Sequence, residues 1–278
     1  MARGASALCA WMIFATHSMA QGAAETRQDE AVGASINYVF ATDLGSGVYQ
    51  MGDRTLQVYR LTYRRELRAP AEHHVGLRFT LPVTAGFFDF NPTDALSEGL
   101  PSRVDSFSVV PGIELDYLLH GDWHLIPYAR AGFSVASSSV DGLLYGAGIR
   151  LERQGDFHGW DQFLRGELAY SGVDYRQNVG GDQFVRLREG VDLTRAVGRE
   201  WRGRELELGL YAIFDLVLDP PTAPVADGRR HPIQAEFGLT LSTRPPFKIW
   251  RFDVPRLGVG YRLAGELSSW RIVLGVPF

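Results

Sequence analysis

A chain of 278 residues with a formal charge of −4 is long enough for one large domain or two small ones. It has no net basic balance and no run of Lys or Arg, which excludes nucleic acid as an expected partner. The single cysteine, Cys9, falls in the leader described next, so the mature chain is expected to hold neither a disulfide nor a thiolate for a metal, and no cofactor is expected.

The first twenty residues read as an export signal. Arg3 supplies a positive start, "ASALCAWMIFA" a short apolar core, and "SMA" the small residues before a cleavage after Ala20, with Ala24 the alternative position. A short polar lead, residues 21–31, follows, and residues 32–278 then read as one domain. No run of about eighteen apolar residues occurs after the signal, so any membrane crossing must use strands.

Alternating segments follow one another at a spacing of roughly twenty residues, and period two means strand. In chain order they are "GASINYVFA", "TLQVYRLTYR", "HVGLRFTLPVTAGFFDF", "SFSVVPGIELDYL", "WHLIPYARAGFSV", "LYGAGIRLE", "FLRGELAYS", "FVRLREGVDLTR", "RELELGLYAIFDL", "PIQAEFGLTLS", "RLGVGYRLA" and "SWRIVLGVPF". The third carries Val75, Leu77, Phe79, Leu81, Val83, Ala85 and Phe87 on one parity, longer than most soluble strands and long enough to cross a bilayer at a tilt. The eighth is the weakest, its apolar parity interrupted by Glu189. Pro82 and Pro111 fall mid-strand, where bulges or bends are expected because proline cannot donate to a ladder.

The parity opposite the apolar one is rich in charge and in Gly, Ser and Thr, while aromatics gather near the ends of the apolar stripes. Together with strand length and export without disulfides, this predicts an all-β, transmembrane, antiparallel up-and-down barrel of about 12 strands. Its partners would be outer-membrane lipids, and its location the cell outer membrane. Connections 44–53, 89–103, 136–141, 172–182, 217–229 and 264–268 are expected at the external end. The lumen is expected to hold Arg78, Glu114, Asp116, Arg130, Arg150, Glu152, Arg165, Glu167, Glu205, Glu207, Glu236 and Arg262, near balance in sign and therefore paired.

The closing stripe of Trp270, Ile272, Leu274, Val276 and Phe278 resembles the C-terminal signal of bacterial outer-membrane barrels, which implies recognition by their assembly machinery. "RLGVGYRLAGELSSWRIVLGVPF" and "LIPYARAGFS" resemble the translocator barrels of autotransporters, and more closely the solitary outer-membrane autotransporter-like family. That resemblance implies a barrel of about twelve strands, and the ten or so residues between leader and first strand leave no room for a passenger. The role this implies is structural or that of a narrow hydrophilic pore for a small solute, not an enzyme. The competing reading is an outer-membrane hydrolase at the external rim, either a lipase on the serines of "VASSSVDG" or a protease using Asp89, Asp215, Asp219, Asp227 and His231. His73, His74, His120, His124 and His158 gather at the other end without the short spacings of a metal site.

Overall fold

The structure, a computed structural model, describes residues 46–51, 54–71, 74–88, 106–120, 122–136, 141–175, 181–218, 233–249, 252–254, 256–264 and 267–278. Fifteen strands form among them: β1 Gly47–Met51, β2 Arg54–Arg68, β3 Gly76–Phe88, β4 Ser106–Val109, β5 Gly112–Leu118, β6 Trp123–Ala136, β7 Gly142–Phe157 and β8 Trp160–Tyr175. They continue with β9 Gly181–Trp201, β10 Arg204–Leu218, β11 Ile233–Arg244, β12 Phe247–Ile249, β13 Phe252–Val254, β14 Leu257–Ala264 and β15 Leu267–Leu274. β12 and β13 make a small hairpin of their own. The rest form one antiparallel sheet that closes on itself where Val48 of β1 meets Trp270 of β15.

β4 and β5 are two halves of one stave, since both pair with β3 on one side and β6 on the other. The wall is thus a twelve-staved up-and-down barrel. The halves are separated by Val110 and Pro111. Val110 donates its N–H to the carbonyl of Pro82 (3.1 Å), and Ala131 donates to that of Pro111 (3.0 Å). Neither proline has an N–H to return. Each proline therefore costs one ladder bond, yet the register passes from Thr80↔Gly112 to Val83↔Val109 without a shift. Of the bulges or bends expected at Pro82 and Pro111, no bulge forms, because proline's fixed φ is compatible with a strand and only its missing donor is felt. The register shifts lie instead at Glu66/Arg68 and Glu205/Glu207.

A second correction concerns the start of the wall. "GASINYVFA" lies outside the described residues, and β1 occupies part of the segment, 44–53, read as a connection.

The two ends of the barrel differ. At one end β7 turns into β8 through His158–Gly159, and β9 into β10 through Arg202–Gly203. All four residues have positive φ (53°, 78°, 53° and 70°). This is the two-residue hairpin whose twist matches the strands it joins, and glycine at its second position adopts it without strain. Connections 89–105 and 219–232 join strands at the opposite end.

One step along β11 decides which way the wall faces. Glu236 is 1% exposed and its neighbour Phe237 is 58% exposed. The same inversion runs round the barrel. Leu61, Ile113, Phe133, Ile149, Leu168 and Leu239 are exposed, while Glu114, Asp116, Arg150, Glu167, Asp215 and Arg262 are buried. A water-soluble barrel would do the reverse. Apolar side chains on the outside with ionic ones enclosed fit hydrocarbon as the surrounding solvent.

Candidate functional site

The enclosed side chains form a connected ionic lattice. Strand pairing brings Arg78 on β3 opposite Glu114 on β5, and its guanidinium reaches both Glu114 (3.0 Å) and Asp116 (3.4 Å). His124 on β6 lies against Asp116 through Nδ1 at 2.7 Å. Glu114 is also held by Arg150, which reaches across β6 from β7 (2.7 Å). Glu152 takes Arg165 from β8 at 2.7 Å. Arg130 donates to Ser171 Oγ (3.0 Å).

Glu167 links this sector to the next. It accepts from Tyr128 Oη (2.8 Å) and from Arg186 (3.1 Å). Beyond it, Arg188 grips Asp215 with two donors at 2.6 and 2.8 Å, the fork geometry that makes an Arg–carboxylate pair strong. Arg262 and Arg271 converge on Glu236 at 2.8 and 3.1 Å, and Tyr211 donates to the same carboxylate at 2.8 Å. Arg256 pairs with Asp192. Every carboxylate named in this lattice carries at least one guanidinium, and the nine guanidiniums outnumber the seven carboxylates.

Two tyrosines reach their carboxylates over glycines. Tyr211 stands opposite Gly238, which pairs with Gly260 on the next stave. A Cβ at either glycine would collide with the Tyr211 ring or hydroxyl. Tyr128 lies in the same way over Gly148. Each glycine leaves a bare patch of wall that an aromatic ring covers.

Apolar side chains also gather on both sides of the lattice, beside buried polar ones such as Gln57, Ser106 and Ser108 at one end and Thr194 and Thr243 at the other. Toward the end of the longer connections Val110, Leu144, Val173, Tyr175, Phe184 and Val217 form one buried cluster. Toward the tight-turn end Phe278 packs against the cluster of Tyr211, Ile213 and Val273. Its ring stacks on Phe163 (5.6 Å between centroids) and lies 5.5 Å from the Arg165 guanidinium. Arg271 donates to the carbonyl of Pro277, which is fully buried.

Arg78, Glu114, Asp116, Arg130, Arg150, Glu152, Arg165, Glu167, Glu236 and Arg262 all contribute to the enclosed lattice. Glu207 is buried too, bound by Ser242 (3.0 Å) and Arg244 (2.7 Å) nearer the tight-turn end. Glu205 does not join them. It is exposed in the β9–β10 hairpin, next to the register shift, where the left-handed Gly198 (φ 66°) lengthens β9. Along the closing stripe, Trp270, Ile272 and Val276 are exposed on the outer wall, and Leu274 pairs with Leu257. Phe278 leaves the stripe, because Gly275 (φ 92°) turns the chain and sends the last ring inward.

Asp215 lies in the lumen on Arg188 and not at the external rim. Asp89, Asp219, Asp227, His231 and His73 lie outside the described residues. Among the described residues, no three His, Cys, Asp or Glu side chains are grouped to hold a metal.

The class is therefore that of membrane-spanning antiparallel β-barrels, defined by the closed ladder and the inverted faces. No family model matches the sequence, and no curated protein does. Among solved structures the chain is similar to the β-domain of the Bordetella autotransporter BrkA, at 10% identity and TM-score 0.49, over 82% of this chain and 93% of that one. It is similar to the translocator domain of the autotransporter NalP from Neisseria meningitidis, at 12% identity and TM-score 0.45, over 95% and 99%. It is also similar to the transport unit of the autotransporter AIDA-I from Escherichia coli, at 11% identity and TM-score 0.46, over 88% and 96%. The fold assigned here rests on this chain's own pairing and faces.

Proposed function

We propose that this chain is an integral outer-membrane protein of a Gram-negative bacterium whose barrel is closed at rest by its own side chains, and that its role is structural. The tight hairpins lie at the periplasmic end and the longer connections outside. One observation carries this reading. The lumen is filled by its own side chains, with a buried apolar cluster around Val173 and Phe184 toward one end, the Arg–carboxylate lattice, and Phe278 on Phe163 set among the lattice members nearer the tight-turn end. A water-filled pore solvates the charges that line it, whereas here Glu236, Arg262 and Asp215 are buried and use one another as solvent. The outer wall is proposed to contact lipid, and the exposed stripe of Trp270, Ile272 and Val276 to be presented to the assembly machinery during insertion.

Conductance in a planar bilayer tests the reading. The folded protein should insert, shown by its resistance to added protease, and pass no stable single-channel current. Replacing the apolar cluster with Leu144→Ser, Val173→Ser and Phe184→Ser together should let small ions through. Steady current from the unmodified barrel would favour the narrow-pore reading and defeat this one.

A further inference from the structure

The outer wall carries one residue that does not belong in oil. Along β9 the outward side chains are Gln183, Val185, Leu187, Glu189, Val191, Leu193 and Arg195. Glu189 is exposed, and both of its neighbours point into the lumen. Arg188 holds Asp215, and a Cβ on Gly190 would touch the Phe278 ring. Glu189 therefore faces lipid. Each outward step advances about 6.7 Å along a strand and about 5 Å along the membrane normal at a tilt of roughly 45°. Three steps separate Glu189 from Gln183 and three from Arg195, which puts its carboxyl group near the centre of an apolar band about 25 Å tall.

Around it the wall is apolar. Its strand partners are Gly166 on β8 and Phe214 on β10, with Leu164, Leu168, Leu187 and Val191 beside them. Among the described residues no hydrogen bond or ion pair reaches the Glu189 carboxyl group, and no Lys or Arg shares its level of the outer face. Gly166 adds a second feature. A Cβ there would meet nothing within 4 Å, so the wall has a shallow notch next to the acid. An unpaired acid at mid-membrane is costly enough that it marks a site where something supplies its partner.

We propose that this face is a docking surface for a second copy of the same chain, with the two Glu189 side chains meeting on a two-fold axis. A two-fold interface sets each residue against itself or its symmetry mate. A protonated carboxyl group is its own complement, because each O–H donates to the other's carbonyl. This wall offers no other mid-band donor or acceptor with which a second copy could satisfy the acid. The Gly166 notch lets the two walls approach closely, as small residues do between membrane helices. The inference rests on the outer face meeting lipid and is independent of whether the lumen conducts.

Sedimentation equilibrium of the folded full-length protein in density-matched micelles tests it. The unmodified chain should show a concentration-dependent dimer. Glu189→Gln, whose amide can also pair with itself, should keep that dimer within a few-fold. Glu189→Leu should weaken it about tenfold or more, the scale of one to two hydrogen bonds inside a membrane. Gly166→Phe fits the single barrel, since the notch is open, and should abolish the dimer by steric clash. Strand-rich circular dichroism and a heat-dependent gel shift must show each variant folded. A monomer at every concentration, or a Glu189→Leu dimer as tight as the unmodified one, overturns the proposal.

Discussion

Two sectors of the lumen use the same chemistry under different solvation. In the β9–β15 sector, Glu236 and Asp215 are gripped by Arg188, Arg262 and Arg271, and each of these five side chains is less than a tenth exposed. In the β3–β7 sector, Glu114 and Asp116 are as deep and Arg150 on Glu114 is as dry, but their other partners are wetter. Arg78 is 25% and His124 32% exposed at the side chain. The difference follows from position. Arg78 and His124 stand one or two residues from the turns at the tight end, while Tyr211 spans Gly238 and Gly260 to cover Glu236 from within. A buried pair and a half-wet pair look alike in a contact map, yet removing one partner costs several kcal/mol in the first case and little in the second.

The largest effect should come from Glu236. Glu236→Leu leaves Arg262 and Arg271 enclosed without their shared counter-charge and strands the Tyr211 hydroxyl. Stability should fall by about 3–5 kcal/mol, read as the urea midpoint of the barrel folded in lipid vesicles. Replacing Arg262 and Arg271 by Leu as well should recover most of that loss, since the cost lies in the orphaned charges. If the single variant costs no more than a change at Arg78, the two sectors are equivalent and the contrast fails.

A smaller loss is expected at Phe278, which ties the end of β15 to β8 on another part of the wall. Phe278→Ala removes the stack on Phe163 and the contact with Arg165. The ring is half-buried, so about 2 kcal/mol is expected, below the range for a fully enclosed phenylalanine. Phe278→Leu should retain more than half of it. A loss at Phe278 equal to that at Glu236 would mean that the apolar plug, and not the sealed ion cluster, dominates the closure.

Much of this architecture is legible in parity alone. Alternation assigns Glu236 and Phe237 to opposite faces, and it marks Glu189 as an intruder before any coordinate is known. Parity does not say who pairs with whom. Arg271 finds Glu236 by reaching over β14, and Arg150 finds Glu114 by reaching over β6, so both contacts depend on the curvature of a closed wall. Parity also assumes that the strand continues. Phe278 shares the parity of Trp270 and Ile272 but leaves their face because Gly275 bends the chain, and the "GVPF" ending was the available sign of that break. Glu205 keeps its parity and still leaves the lumen, because β9 and β10 run on past the Gly198 bulge. Opposite Pro82 and Pro111 the lesson is reversed, since a residue that reads as an interruption costs two hydrogen bonds and leaves the register intact.

The smallest predicted effect is also the most discriminating. Arg78→Gln removes a charge from a half-wet site whose carboxylates keep Arg150 and His124 nearby, so the loss should stay at or below about 1 kcal/mol. Ionic strength then separates the sectors. Raising salt to about 1 M shortens the screening length to roughly 3 Å, which should erase most of the Arg78 contribution while leaving the Glu236→Leu deficit nearly unchanged. The measurement is a pair of urea titrations for each variant, at low and high salt. Equal salt sensitivity in the two sectors would mean that water and ions reach Glu236, and a lumen open to ions there would also conduct.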